Sequence, residues 1–135
     1  MVQGTGSALR MKAASFHEAL EHCVPLRREL HRYAYTKLIE ARQTAACTRF
    51  HGVEERLARW LLMTHDRVRA DRLQFTHEFL ADMLGVRRAG VTRAASALQR
   101  RRVIDYRRGD IRILDRKGLE AAACVCYGVV KALAR

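Results

Sequence analysis

The chain has 135 residues, with 26 Lys+Arg against 14 Asp+Glu and a formal net charge of +12. Hydrophobic residues make up 49%, and there are 8 Gly and one Pro. This excludes a large enzyme barrel, a disordered basic tail and collagen-like or low-complexity classes. The basic side chains are 22 Arg and only 4 Lys, and Arg makes forked contacts to phosphate and guanine. The excess charge points to a polyanion, nucleic acid or an anionic surface, without choosing between them.

The first ten residues are small and polar, with no apolar signal core, and Gly4, Gly6 and Ser7 suit a frayed start. A short extended piece is expected at Ala8 to Met11, then a helix from Phe16 to His22 capped by Ser15. Pro25 then fits the first turn of a new helix, where its missing N–H costs little. From Pro25 to Phe50 no residue breaks that helix. About 25 residues would run roughly 38 Å. Leu30, Ala34, Leu38, Ala41, Ala45 and Thr48 alternate four and three residues apart, an a/d seam with polar residues around it. A domain this small cannot cover so long a seam, so a second copy of the helix is the economical partner. Packing within one chain is the alternative.

His51 and Gly52 interrupt the pattern. Val53, Leu57, Trp60, Leu61 and Thr64 then share one helical face, with Arg56 and Arg59 off it, and His65 to Leu73 reads as a charged loop. Thr76 is a good N-cap for a helix to Leu84, and Gly85 suits the positive-φ position that ends it. A second helix from about Arg88 to Arg100 buries Val91, Ala94, Ala95 and Leu98, completing a helix-turn-helix. Val103 to Tyr106 and Ile111 to Leu114 alternate apolar with polar around a turn at Gly109, giving a hairpin. Asp115 caps a last helix with Leu119, Ala122, Ala123 and Cys126 on its apolar face. The fold class is therefore mainly α: a long dimerisation helix, then a winged helix-turn-helix with a small β-hairpin wing.

The four cysteines, Cys23, Cys47, Cys124 and Cys126, form no CxxC pair, which argues against a zinc ribbon or a thioredoxin-like site. Cys124 and Cys126 lie two apart on the expected last helix, which would point them in different directions. Redox sensing at Cys23 or Cys47 beside the seam is a minor alternative. His17 and His22 are badly spaced for one face, and His31, His51, His65 and His77 are isolated, so neither a metal nor a cofactor is expected. No Ser/His/Asp set, carboxylate pair or Walker-type loop appears, so no enzyme is expected. No apolar run approaches the roughly 20 residues of a membrane span.

Residues His51 to Tyr127 resemble the C-terminal half of the Crp/Fnr family of bacterial transcription regulators. The resemblance rests on Val53 to Leu62, Thr76 to Gly85, Val86 to Leu98 and Leu114 to Cys124. Pro25 to Phe50 resembles that family's dimerisation helix. The domains implied are residues 1–24 as a remnant of an N-terminal effector domain, 25–50 as the dimerisation helix and 51–135 as the DNA-binding domain. The implied function is sequence-specific binding of double-stranded DNA by a homodimer in the bacterial cytoplasm, associated with the nucleoid.

In docking of this kind the start of the recognition helix enters the major groove. Arg88 and Arg93 match positions where many family members place base-reading arginines. Ala89 stands where the cyclic-AMP-responsive branch usually has Glu, so that branch's operator is not implied. Around them, Arg87, Thr92, the wing residues Arg107 and Arg108, and Thr76 with His77 at a helix start are candidate phosphate or base contacts. From Arg87 to Arg116 ten arginines against three aspartates leave +7.

Two alternatives stand beside this reading. One is an interaction subunit that heterodimerises with a full-length relative and modulates it. The other is charge-driven binding of RNA or nucleoid without sequence preference.

The family's cyclic-nucleotide cassette has no counterpart before Pro25, nor do the cysteines that hold an iron–sulfur centre in the Fnr branch. Cyclic AMP or cyclic GMP at millimolar concentration is therefore expected to leave the DNA dissociation constant unchanged within a factor of about two, under roughly 0.4 kcal/mol. Saturable tenfold tightening in a titration would reveal a nucleotide site in this chain.

Overall fold

The computed structural model describes residues 7–133, with seven helices and three strands among them. Two units divide within one helix, the first ending at Leu38 and the second starting at Ile39. Gly4 and Gly6 of the expected frayed start lie outside the described residues.

In the first unit, residues 7–12 form neither helix nor strand, so the extended piece at Ala8 to Met11 joins no sheet among the described residues. Helix α1 is Ala13–His22, three residues longer at its start than expected. Ser15 lies inside it and Lys12 is the cap residue, without a side-chain cap bond. Ala13 and Ala14 are strong helix formers, and their propensity carries the helix past the serine. Helix α2 is Val24–Phe50, with Pro25 in its first turn as expected. Its only buried side chain among the described residues is Cys47.

The second unit is built around α3, Val53–Val68. Glu55 reaches back to accept from the Gly52 N–H at 3.0 Å, fixing the helix start. Leu57, Leu61 and Leu62 are almost wholly buried, each contributing about 1.5–3 kcal/mol of hydrophobic stabilisation. The two arginines placed off the apolar face are also buried, at 7% and 5% exposure for Arg56 and Arg59. The cause is a helix enclosed on more than one side. Arg56 donates to the Leu84 carbonyl at the end of the next helix, where a cation is favoured. Arg59 donates to Thr44 Oγ1 of α2 at 3.2 Å.

The expected charged loop at His65 to Leu73 is only partly loop. α3 continues to Val68, and Arg72–Gln74 forms strand β1. Helices α4 (His77–Leu84) and α5 (Arg88–Arg100) follow, then strands β2 (Ile104–Arg107) and β3 (Asp110–Ile113). The hairpin thus gains a third strand, in the antiparallel order β1-β3-β2. Leu73 pairs with Ile111 and is buried between two exposed neighbours. A three-residue strand with one buried side chain carries too short an alternation to be read from sequence.

The last helix is two. α6 is Arg116–Ala122, capped by Asp115, which accepts from the Gly118 N–H at 3.0 Å. Ala123 is extended, with ψ 152°, and α7 runs Cys126–Leu133. The break overturns the divergence expected of Cys124 and Cys126. Both are buried, at 5% and 2% exposure, and both face Cys47 and His51.

Arg116 joins α3, α6 and α7. It donates to Asp66 Oδ1 at 2.7 Å and to the Tyr127 hydroxyl at 2.8 Å. Tyr127 in turn donates to Asp66 Oδ2 at 2.8 Å. Burial alone would raise the Asp66 pKa, but hydrogen bonds from Arg116 and Tyr127 outweigh it and hold the carboxyl below its ordinary value. Burial, with the Asp66 charge, pushes Tyr127 up to about 12.

Arg116→Ala is expected to cost about 1–2 kcal/mol in urea unfolding, since the side chain is partly solvated. A carboxyl lowered by folding stabilises fully above its unfolded range and loses that contribution as pH falls through the folded value. Asp66→Asn should therefore flatten the loss of stability below about pH 4. An unchanged acid limb would remove Asp66 from that role.

Candidate nucleic-acid interface

Thr76 caps α4, its Oγ1 accepting from the Phe79 N–H at 3.2 Å. Gly85 ends α4 with φ +62°, the left-handed turn that redirects the chain into α5. Leu80, Ala81 and Leu84 of α4 and Val91, Ala94, Ala95 and Leu98 of α5 are buried in one core with α3. That core fixes which arc of α5 is left outside. Arg88, Ala89, Thr92, Arg93 and Arg100 are exposed. At 100° per residue Arg88 and Arg93 stand about 140° apart, flanking Ala89 and Thr92. The guanidinium groups of Arg87, Arg88 and Arg93 make no hydrogen bond or ion pair among the described residues.

The wing stands beside the start of α4. Phe75 donates its N–H to the Gly109 carbonyl at 2.7 Å. Arg108 and Gly109 at the hairpin turn both have positive φ, 50° and 89°, the signature of the turn whose twist suits a two-residue hairpin. Thr76 and Arg108 line one shallow groove with Gln74, Phe75, Gly109 and Asp110. Arg87 and Arg93 line a second, with Asp82, Val86, Ala89 and Gly90.

His77 is an internal strut. Its ring stacks on Tyr106 at 4.4 Å between centroids and 9° between planes. Its Nδ1 meets Thr92 Oγ1 at 3.0 Å, while Nε2 is buried without a partner. Thr92 Oγ1 also donates to the Arg88 carbonyl at 3.2 Å. Burial, then the Arg88 charge, lowers the His77 pKa, so the ring adds no positive charge at neutral pH. Tyr106 closes the link by donating to the Phe75 carbonyl at 3.1 Å, and Gln99 of α5 donates to the Tyr106 carbonyl at 3.2 Å. One histidine thus ties the start of α4 to α5 and the wing. Its isolation in the sequence gave no sign of this, because its partners are 15 and 29 positions away.

The two wing arginines differ. Arg107 pairs with Asp105 at 3.4 Å, whereas Arg108 has no such partner among the described residues. Much of the sheet's outer face is self-neutralised. Arg72 binds Asp110 through Nε at 2.8 Å and a second guanidinium nitrogen at 2.7 Å. Arg87, Arg88 and Arg93 at the start of α5 and Arg108 at the wing tip are left as exposed cations, with Arg100, Arg102 and Arg112 exposed further along, and Glu78 in the first turn of α4 is the acidic residue there.

A capped short helix, a left-handed glycine turn, an exposed recognition-type helix and a stranded wing define a winged helix-turn-helix. Residues 55–122, half of the chain, match the model of the Crp-like helix-turn-helix domain, and the chain belongs to that family. No curated protein matches the chain.

Among solved structures, FixK2 from Bradyrhizobium japonicum superposes with a TM-score of 0.76 at 22% identity, over 85% of this chain and 60% of that one. A protein of Eubacterium rectale assigned to the Crp/Fnr transcriptional regulators gives 0.62 at 24%, over 82% and 51%. The catabolite activator protein of Thermus thermophilus gives 0.51 at 22%, over 82% and 52%. At these identities the likeness is one of fold. The chain spans between half and three fifths of their lengths.

Proposed function

We propose that the chain is a sequence-specific DNA-binding transcription regulator of the Crp/Fnr type that acts as a dimer, with α5 in the major groove. The observation that carries this reading is the pair of exposed arginines without protein partners, Arg88 and Arg93, on the outward arc of α5. Arg108 and the capped start of α4 hold the phosphate backbone beside them. Arg87 and, once released from Asp105, Arg107 add to that grip. Thr92 presents its side chain between the two base-reading arginines, and Thr76 and His77 set the start of α4 against the wing.

Residues 25–50 are the dimerisation helix and 51–135 the DNA-binding domain. Leu30 is half-buried in the single chain, and Ala34, Leu38, Ala41 and Ala45 are exposed, which supports their use as a contact seam. No helix of the described residues is long and apolar enough to cross a membrane, and the reading places the protein in the bacterial cytoplasm with the nucleoid.

Selection of bound sites from a random duplex library tests the proposal. The expected product is two half-sites about 34–36 Å apart, one helical turn. Bound pools without sequence enrichment would replace it with charge-driven binding. Enrichment only after mixing with a longer relative would favour the heterodimeric role.

A further inference from the structure

Cys47 lies near the end of α2, His51 one turn later, Cys124 in the break between α6 and α7, and Cys126 at the start of α7. Their ligand atoms all lie within 4.8 Å of one another. Cys47 Sγ is 3.4 Å from Cys124 Sγ, and Cys126 Sγ is 3.5 Å from His51 Nδ1. The three cysteines form a buried cluster of their own, apart from the main core. We propose that Cys47, His51, Cys124 and Cys126 form a closed tetrahedral site for a single Zn2+ ion, which pins the end of α2 to the α6–α7 turn.

Geometry selects the ion. Zinc bonds of about 2.3 Å to sulfur and 2.0–2.1 Å to imidazole put tetrahedral edges at about 3.8 Å between sulfurs and about 3.5 Å from sulfur to nitrogen. The observed separations are 3.4 and 3.5 Å, with none beyond 4.8 Å. A four-iron cluster places each thiolate on a different iron and needs a wider cage. Three thiolates and one imidazole with no open position are a structural zinc set, and soft sulfur ligands disfavour Mg2+ and Ca2+.

The surroundings fit the charge. Zn2+ with three thiolates and a neutral histidine carries −1. Arg59 is buried, Nε and one terminal nitrogen of its guanidinium have no partner, and its charge acts on Cys47. A buried guanidinium left unpaired is costly. A net anion beside it supplies the counter-charge. Gln43 Nε2 approaches Cys126 Sγ at 2.9 Å, the donor contact that steadies a metal-bound thiolate.

The local chain is shaped for it. Cys47 and His51 are four apart, so one helical face presents both. The extended residue Ala123 ends α6, which lets two cysteines separated by one residue converge. A continuous helix would splay them.

The test is metal analysis of the full chain, purified under reducing conditions without added metal. The expected result is about one zinc per chain, released by titrating the thiols with a mercurial. The apo chain titrated with Co2+ should saturate at one equivalent. It should show the intense visible bands of a tetrahedral site and the ultraviolet bands of thiolate-to-metal charge transfer.

His51 is only half-buried, so His51→Ala should stay folded by circular dichroism while Co2+ affinity falls by roughly tenfold or more. His51→Cys should restore tight tetrahedral binding with stronger charge transfer. Cys23→Ser alters an exposed cysteine outside the cluster and should change nothing. The proposal falls if the reduced chain binds neither ion stoichiometrically, or if the cobalt complex is pale and octahedral. It also falls if the chain holds a Cys47–Cys124 disulfide and no metal, or if Cys23→Ser loses the ion as His51→Ala does.

Discussion

Leu38→Glu is expected to leave the chain monomeric and to weaken binding to a two-half-site duplex by about a hundredfold or more, because the second half-site contact ceases to be intramolecular. Leu38 is 57% exposed in the single chain, so its replacement removes little from the fold of one protomer. Assembly is separated from stability for that reason. In a dimer along the seam, each Glu would face its symmetry mate in a dry contact, and burying two like charges costs several kcal/mol.

The margin available to absorb that cost is small. Ala34, Ala41 and Ala45 each offer little apolar area, and burial returns only about 25 cal/mol per Å2. Sedimentation equilibrium checks the assembly, and fluorescence anisotropy on one-site and two-site duplexes checks the binding. An unchanged dimer would remove the seam assignment. A monomer that keeps full two-site affinity would separate DNA binding from dimerisation altogether.

Most of the winged helix-turn-helix was legible because it depends on local signals. Thr76 and Gly85 mark the ends of α4 by cap and turn chemistry that acts over a few residues, and the spacing of Val91, Ala94, Ala95 and Leu98 sets the buried side of α5 by helical geometry alone. The hairpin strands alternate, and Gly109 marks their turn.

What the sequence hid depends on distant partners. β1 exists because Arg72–Gln74 pairs with Asp110–Arg112, almost forty positions later. Arg56 and Arg59 fell off the apolar face, and a helical wheel cannot show that α3 is covered on several sides. His77 was a single weak histidine until Tyr106 and Thr92 met it. Cys124 and Cys126 were assigned to one helix, and the divergence inferred from that helix concealed the cluster with Cys47 and His51. A cysteine four residues before a histidine, with a second pair spaced by one residue, was the available signal. It lacked the CxxC spacing that would have made it specific.

Arg88→Ala and Arg93→Ala should each cost about 1–3 kcal/mol on the preferred duplex and relax selection at one position per half-site. A forked guanidinium supplies two donors to guanine O6 and N7, and alanine leaves those acceptors facing no partner. The two arginines flank the exposed arc of α5 about 140° apart, so they should relax different positions. The folded domain should be unaffected, since both side chains are exposed and neither holds another residue.

Arg108→Ala should behave differently. Arg108 sits at the wing tip, beside Thr76 and away from the outward arc of α5. A phosphate contact there carries no base information, so every sequence should weaken by a similar factor. Each neutralised phosphate contributes roughly 0.9 to the slope of log affinity against log salt, and that slope should flatten by about one. Arg107→Ala should do less, because Arg107 must first leave Asp105. Measured across a salt series on preferred and scrambled duplexes, the α5 variants should change the ratio between duplexes. The Arg108 variant should change the salt slope and leave that ratio alone. If all of them lower affinity uniformly, α5 is not reading bases, and the positive surface serves only to hold the backbone.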